Sequence, residues 1–202
     1  MKDLTIVVPA GQGNNLSSIV GTYKIFSKAN EYQTINNKKE QFRVQLAGVT
    51  KKVDFYDGLF TVTPHTHISA IPKTHLIIIP SLNHNYQKAL KENKLLIDWI
   101  ENQYKQGSEI ASICTGAFLI ASTGLLDGKT CSTHWSAADN FRKMFPKINL
   151  QTEKLITDEN GIYTNGGAFS FLNLIIYLIR PRVTLITLLI FYCFAVLQTR
   201  NH

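Results

Sequence analysis

The segment 109–128, EIASICTGAFLIASTGLLDG, decides the fold of this chain. An apolar run over 110–113 ends abruptly at Cys114, and a second apolar run with different spacing follows two small residues later. This pattern predicts a buried strand over Glu109–Ile113 and a helix over Gly116–Thr123. A strand that turns sharply into a helix presents its corner side chain at the carboxyl edge of the sheet, where open α/β sheets bind ligands. Cys114 therefore marks a candidate site.

Outside this segment, the chain alternates between predicted strands and helices. Leu4–Val8 and Leu76–Ile79 are short apolar runs that are typical of buried parallel strands. Tyr86–Lys105 has the spacing of one amphipathic helix, and Gly107 follows its end. This order predicts an α/β domain with a mainly parallel sheet. The other predicted elements are strands at Gln41–Val49, Leu59–Val62, Leu155–Thr157 and Ile162–Thr164, and helices at Ile19–Ala29, His134–Phe145 and Gly166–Ile179.

The composition is that of a globular protein. The chain has 202 residues, of which 45% are hydrophobic, so we expect one domain with a sizeable core. The net charge is +7, but the basic residues are scattered, which favours solvated faces over a nucleic-acid-binding stripe. The cysteines at 114, 131 and 193 do not have the spacing of a metal site, and the first strand is not preceded by a secretory signal. These features predict a cytoplasmic protein without a bound metal or other cofactor.

Two interpretations of Cys114 follow from its predicted position. A thiol beside a helix N-terminus has a lowered pKa, because the helix dipole favours the thiolate. The backbone amides of Thr115 and Gly116 would then point at a developing oxyanion. The alternative is a buried and inert cysteine, since free cysteine is among the most frequently buried residue types.

The segment 111–135, ASICTGAFLIASTGLLDGKTCSTHW, resembles the DJ-1/PfpI superfamily, which is class I glutamine amidotransferase-like. It is most similar to the sensor domain that begins many AraC-type transcriptional regulators. The pieces that carry the resemblance are the Ser-x-Cys-Thr-Gly-Ala-Phe elbow, the Gly-Leu-Leu-x-Gly turn and the pair His134–Trp135. The resemblance extends from Leu4 to Ile179. It implies a flavodoxin-like three-layer sandwich that forms homodimers, with Cys114 at a nucleophile elbow.

The same resemblance implies which residues catalysis would need. Catalytic members have a carboxylate after the first strand that contacts the thiol, and that acid would fall close to Ser18. The segment 14–21, NNLSSIVG, contains no Asp or Glu. His134 follows Cys114 at the distance of the DJ-1-type histidine, although a helix cap or a pocket wall is the favoured interpretation of this residue. Without the acid, the thiol lacks a proton partner and an orienting hydrogen bond.

These residues predict a non-catalytic, ligand-sensing domain of an AraC-type regulator. We expect an unidentified small molecule as its ligand and no direct nucleic-acid binding by this chain, because no helix-turn-helix pattern follows Ile179. The alternative is a cysteine-dependent hydrolase or hydratase, similar to an amidase or isonitrile hydratase, that uses Cys114 and His134 for catalysis. We expect the pocket to be lined in part by residues from the segment Gln12–Ser18. The individual residues predicted to line it are Ser18, Cys114, Thr115, Gly116 and His134.

Two other motifs give weaker predictions. His65 and His67 form a His-x-His pair, with His75 and His84 further along, but no Cys or acidic ligand accompanies them at a fixed spacing. We therefore favour a polar loop over a metal site. The glycines in AGQGNN (10–15) lack the full spacing of a dinucleotide-binding fingerprint.

The last 23 residues, 180–202, differ in composition from the rest of the chain. They contain no Asp, Glu or Gly, and the apolar run Val183–Leu197 is shorter than the roughly 20 residues of a membrane span. We interpret this tail as a shifted reading frame after an incomplete domain, 1–179. A membrane anchor and an element exchanged between two protomers are the alternatives.

Overall fold

The computed structural model describes residues 1–11, 14–37, 39, 41–167 and 171–180. Within these residues, strands and helices alternate along the chain. Single turns of 3-10 helix lie at Ile68–Ala70, Cys114–Gly116 and Trp135–Ala137. The strands are β1 (Lys2–Val8), β2 (Phe42–Gly48), β3 (Val53–Phe55), β4 (Phe60–Val62), β5 (Thr66–His67), β6 (Leu76–Ile79), β7 (Glu109–Ser112), β8 (Thr130–Cys131), β9 (Asn149–Leu150), β10 (Ile156–Glu159) and β11 (Ile162–Asn165). The helices are α1 (Leu16–Ile35), α2 (Tyr86–Glu92), α3 (Lys94–Lys105), α4 (Ala117–Ala121), α5 (Ala138–Met144) and α6 (Phe171–Ile179).

The central sheet has the order β10-β11-β7-β6-β1-β2-β5. Every pairing in it is parallel except the β10–β11 hairpin. The inner order β2-β1-β6-β7-β11 is that of flavodoxin-like sheets, in which the strand order reverses at the first strand. The predicted α/β fold with a mainly parallel sheet is therefore confirmed.

Helices cover both faces of this sheet, which gives three layers. One core cluster joins residues of α1 and α6 to the sheet, and a second joins residues of α2 to α5 to the opposite face. The first cluster includes Leu4, Ile6, Ile78 and Ala111 of the sheet with Phe26 and Leu174 of the helices. The second includes Val7, Ile77, Ile79 and Ile110 with Leu96, Phe118 and Phe141. Strands that are buried on both faces need apolar residues at successive positions, which explains the run Leu76–Ile79.

Strand register brings three chain segments to one edge of the sheet. Ser112 of β7 is paired with Ile79 of β6 on one side and with Thr164 of β11 on the other. The residues that follow these pairs therefore leave the sheet at the same level. These are the segments that begin at Pro80, Ile113 and Asn165, and they surround the elbow.

The predicted helix Tyr86–Lys105 is wrong as a single element, because it is interrupted at Asn93. The Asn93 side chain is fully buried and bonds to the loop after β1. Its Oδ1 accepts a hydrogen bond from the Ala10 amide at 2.7 Å, and its Nδ2 donates to the Ala10 carbonyl at 3.1 Å. Side-chain bonds of this kind compete with regular helix geometry, and amphipathic spacing alone does not reveal them.

We expect Asn93→Ala to lower the free energy of unfolding by about 2–3 kcal/mol, because it leaves the Ala10 amide and carbonyl without partners. Urea denaturation of the variant measures this loss. Asn85→Ala is the control, since Asn85 only accepts a capping bond from the Lys88 amide at 3.2 Å. That change should cost about 1 kcal/mol. Equal losses in the two variants would contradict the conclusion that Asn93 stabilises the fold through its hydrogen bonds to Ala10.

The other helix and strand predictions differ mainly at their ends. The β10–β11 hairpin confirms the predicted strands around the DENG turn, with Asn160 and Gly161 at positive φ. The predicted helix Gly166–Ile179 begins too early, because the described helix starts at Phe171. A Cβ on Gly166 would lie 2.6 Å from Ser132 Oγ, so this glycine permits close packing after β11. The tail interpretations, including the membrane anchor at 183–197, lie outside the described residues, and no described helix is long and apolar enough to span a membrane.

Candidate functional site

Cys114 lies at a strained corner between β7 and the 3-10 turn that precedes α4. Its φ is +53°, a left-handed conformation that costs energy for a residue with a side chain. Ile113 before it is extended, and Gly116 after it is already helical. The Cys114 side chain is buried, with 4% of the residue exposed. The backbone therefore turns sharply from β7 into the helical segment at Cys114.

The elbow backbone is held by hydrogen bonds on both sides. The Cys114 amide donates to Asn165 Oδ1 at 2.9 Å, and the Cys114 carbonyl accepts from Thr133 Oγ1 at 3.1 Å. The Gly116 amide donates to the Ile113 carbonyl at 2.8 Å. The expectation that the Gly116 amide would face an oxyanion is therefore wrong, because the tight turn uses this donor itself.

Gly116 lies closely against the end of β6. A Cβ at this position would stand 2.6 Å from the Pro80 carbonyl oxygen and 2.9 Å from that of Ile79. Because both neighbours are backbone atoms, they have little freedom to move aside. This predicted pocket residue therefore has a packing role at the carboxyl edge of the sheet.

Burial raises the pKa of the Cys114 thiol above its ordinary value. Contacts of the thiol with the Ser81 side chain, with the amide and hydroxyl of Thr115 and with the His134 backbone oppose this rise without cancelling it. The net direction is upward, because desolvation penalises the charged form. The thiol is accordingly protonated at neutral pH, whereas the helix-dipole argument predicted a lowered pKa.

Ser18 lies in the first turn of α1, where the family resemblance implies an acid. Its hydroxyl donates to the Asn15 carbonyl at 2.7 Å and accepts from the Ser81 amide at 3.1 Å. Ser18 is thus brought next to Ser81, which contacts the thiol, but its own hydrogen bonds join α1 to the loop after β6. Gln12, at the start of the expected pocket segment, lies outside the described residues.

Thr115 ties the elbow to the same loop. Its Oγ1 donates to the Leu82 carbonyl at 2.6 Å and accepts from the Leu82 amide at 2.9 Å. It also shares a hydrogen bond of 2.8 Å with Ser81 Oγ. The loop amides of residues 81 and 82 are therefore both occupied by side-chain hydroxyls.

The His134 ring is directed toward the following turn. Its Nδ1 lies 2.7 Å from Ser136 Oγ and accepts from the Ser136 amide at 3.3 Å, which caps the 3-10 helix Trp135–Ala137. The contact of His134 with the Cys114 thiol comes from its backbone. Trp135 packs at 5.5 Å from the His134 ring and is 72% exposed.

Sequence reasoning missed three residues of this site. Ser81 contacts the thiol, Asn165 binds the Cys114 amide, and Tyr86 lies close enough for the Cys114 charge to affect its pKa. Ser81 lies two residues after β6 and Asn165 is the last residue of β11, so their position at the carboxyl edge was a usable signal. Tyr86 gave no such signal, because it looks like an ordinary first residue of an amphipathic helix.

His65, His67 and His75 form hydrogen bonds in separate places. The Nδ1 atom of His65 accepts from the Leu46 amide at 2.8 Å, and that of His75 accepts from the Asp3 amide at 3.0 Å. His67 Nδ1 lies 2.7 Å from Ser69 Oγ. Within the described ranges, no three His, Cys, Asp or Glu side chains gather as a metal site would require.

Comparison with known proteins relates this geometry to a family. Residues 5–178 match the DJ-1/PfpI family. The chain belongs to this family. The match covers the elbow and the central sheet, except for the first three residues of β1.

The DJ-1/PfpI chain is similar in sequence to several regulators and to an enzyme. It is 28% identical over 111 residues to the HTH-type transcriptional regulator GbdR of Pseudomonas aeruginosa, a match that covers 55% of this chain and 29% of GbdR. It is 29% identical over 79 residues to isonitrile hydratase of Pseudomonas putida, which covers 39% of this chain and 33% of the enzyme. The chain thus spans about a third or less of these relatives.

Solved structures share the fold over nearly the whole chain. A Vibrio parahaemolyticus protein described as a transcriptional regulator superposes with a TM-score of 0.84 at 23% identity, covering 96% of this chain and 98% of the other. Drosophila melanogaster DJ-1beta superposes with a TM-score of 0.76 at 15% identity, covering 97% of both chains. These likenesses establish the flavodoxin-like fold of the family.

Proposed function

We propose that this chain is a non-catalytic, ligand-sensing domain of an AraC-type transcriptional regulator. Its ligand is a small molecule that binds at the Cys114 elbow, beside Thr115 and His134. The proposal includes a homodimeric assembly in the cytoplasm and assigns no DNA-binding surface to the described residues. The observation that supports the non-catalytic role is the environment of Cys114 at the elbow. Its thiol is buried and protonated, and the backbone amides around it already form hydrogen bonds.

The elbow lacks the arrangement that acyl transfer requires. An activated cysteine needs a proton acceptor within hydrogen-bond reach and free donors for the oxyanion. Here Ser18 replaces the acid, and the His134 ring is bonded to Ser136. The amides of Cys114 and Gly116 are bonded within the elbow, and those of residues 81 and 82 are bonded to hydroxyls. The Thr115 amide is directed at the sulfur itself.

Similarity to regulators supports the same conclusion. GbdR is an HTH-type transcriptional regulator, and another sequence relative, GlxA of Rhizobium meliloti, is also named as one. A domain that fills part of such a protein and has an inactive elbow fits the role of a sensor that controls a separate DNA-binding part.

A cysteine-dependent hydratase or hydrolase is the second candidate, and the match to isonitrile hydratase favours it. In that case Cys114 would attack the substrate, His134 would turn its ring toward the thiol, and water or Ser18 would replace the missing acid. This function requires the thiol to ionise readily, so the titration of Cys114 distinguishes the two candidates.

We expect the rate of iodoacetamide alkylation at Cys114 to rise with pH through a midpoint above that of N-acetylcysteine. The reason is that burial raises the pKa of this thiol above the ordinary 9.0. Peptide mass spectrometry after timed alkylation measures the rate at each pH. Cys131, which is fully buried, provides an internal comparison and should react more slowly throughout.

Two results would contradict the sensor proposal. One is a midpoint well below that of N-acetylcysteine, which would indicate an activated nucleophile. The other is turnover of an isonitrile or amide substrate by the purified chain that disappears in Cys114→Ala. The Cys114→Ala variant also serves as the control for alkylation at other sites.

A further inference from the structure

One side of β2 is only partly covered by a neighbouring strand. β2 pairs with β1 along its whole length, but on its other side β5 reaches only its last two residues, Ala47 and Gly48. Backbone groups in a paired strand face its two sides alternately, so Phe42, Val44 and Leu46 direct their amides and carbonyls away from β1. A strand edge with open backbone groups is a template for pairing with another chain.

Asn30 of α1 occupies the first of these three positions. Its Oδ1 accepts hydrogen bonds from the Phe42 amide at 3.1 Å and from the Gln41 amide at 3.2 Å, and its Nδ2 donates to the Phe42 carbonyl. The side chain thus bonds to Phe42 through both a donor and an acceptor, as a residue of a neighbouring antiparallel strand would. Both backbone groups that Phe42 directs away from the sheet are therefore satisfied.

His65 occupies the third position, immediately before β5. Its Nδ1 accepts a hydrogen bond from the Leu46 amide at 2.8 Å, and its own amide donates to the Leu46 carbonyl at 3.0 Å. The imidazole ring lies 5.9 Å from the ring of Tyr23, which belongs to α1. His65 therefore extends the cover of β2 by one residue beyond the two that pair with β5.

Val44 lies between these two contacts. Among the described residues, none outside the sheet bonds to the Val44 amide or carbonyl. In a two-fold antiparallel pairing of β2 with a second copy, Val44 lies opposite Val44, and each Phe42 lies opposite Leu46 of the other copy. Asn30 and His65 block both of these flanking pairs. The two hydrogen bonds that remain at Val44 do not offset the entropic cost of association.

We propose that Asn30 and His65 form an edge cap, a pair of side chains that prevents β2 from pairing with β2 of a second copy. The segment QFRVQLAGV (41–49) contains no proline, and Arg43 is its single charged residue, so the usual means of protecting an edge strand are sparse. Without the cap, three residue pairs in the two-fold register would exchange two hydrogen bonds each. This inference concerns association of the domain and is independent of the sensor function.

The test is the double variant Asn30→Ala/His65→Ala, compared with the wild type by light scattering over a range of protein concentrations. We expect the variant to associate beyond the oligomeric state of the wild type, with an association constant for this step about tenfold higher or more. Infrared spectra should show added intermolecular β-structure. All proteins are compared under conditions in which circular dichroism shows native secondary structure.

The matched control is Asn36→Ala/His67→Ala. The Asn36 side chain donates to the Tyr32 carbonyl at 2.8 Å, and His67 Nδ1 accepts from the Ser69 amide at 3.2 Å. Because neither of these side-chain bonds involves β2, this variant should keep the mass of the wild type at every concentration. Association of the control to the same extent as the double variant would overturn the edge cap.

Val44→Pro separates strand pairing from association through partial unfolding. Proline has no amide donor, and the Val44 amide faces away from β1, so the change removes no hydrogen bond of the sheet. Added to the double variant, it should restore the mass of the wild type. A double variant that keeps the wild-type mass throughout would overturn the proposal, and so would association that persists after Val44→Pro is added.

Discussion

Gly116→Ala is expected to lower the free energy of unfolding by about 3 kcal/mol, the upper part of the usual range for overpacking. The backbone of Gly116 is helical, so alanine is conformationally acceptable there. The cost comes from the new Cβ, which would lie 2.6 Å from the Pro80 carbonyl oxygen and 2.9 Å from that of Ile79. Relief requires the elbow to move away from the end of β6. Thermal and urea denaturation of the variant measure the loss.

Gly124→Ala is an informative comparison for this result. Gly124 has a φ of +78°, and a Cβ there would meet no atom within 4 Å. Its substitution should cost about 1 kcal/mol through backbone strain alone. If Gly116→Ala were no more destabilising than Gly124→Ala, that result would contradict the inference that the elbow packs closely against the end of β6. A stable Gly116→Ala protein that had lost only ligand binding would instead support the pocket role predicted from the sequence.

The fold was predictable because its main elements depend on local patterns. The runs Leu4–Val8 and Leu76–Ile79 are apolar at successive positions since helices cover both faces of their strands. The β10–β11 hairpin was also predictable, because the DENG turn between its two strands is a local sequence pattern. Helix continuity was less predictable, because the break at Asn93 depends on bonds to Ala10, which is 83 positions away in the chain.

The candidate site was predictable only in part. The elbow position of Cys114 follows from the strand–corner–helix pattern, and its positive φ agrees with that pattern. The protonation of the thiol was not predictable, since the helix dipole favours the thiolate while burial favours the thiol, and only the packing shows which effect is larger. Similarly, the sequence does not show that Asn165 occupies the Cys114 amide, because this contact joins residues 51 positions apart.

Cys131 is expected to make the domain lose stability steeply in alkaline solution. It is fully buried in β8, and burial raises the pKa of its thiol from 9.0 to about 12. Between these values the unfolded chain releases the proton and the folded chain retains it, so the free energy of unfolding falls as the pH rises. The loss approaches about 1.4 kcal/mol per pH unit once the unfolded thiol is ionised, which gives a loss of about 2 kcal/mol between pH 9 and pH 11 from this residue.

Cys131→Ala and Cys131→Ser isolate this contribution, because neither side chain titrates. Both variants should be less stable than the wild type at pH 7, since one leaves a small cavity and the other buries a hydroxyl. Other alkaline titrations, including that of Tyr163, are shared by all three proteins. The wild type should therefore lose about 2 kcal/mol more than either variant between pH 9 and pH 11 in urea denaturation. Parallel pH profiles for the three proteins would show that the Cys131 thiol titrates alike in the folded and unfolded chains.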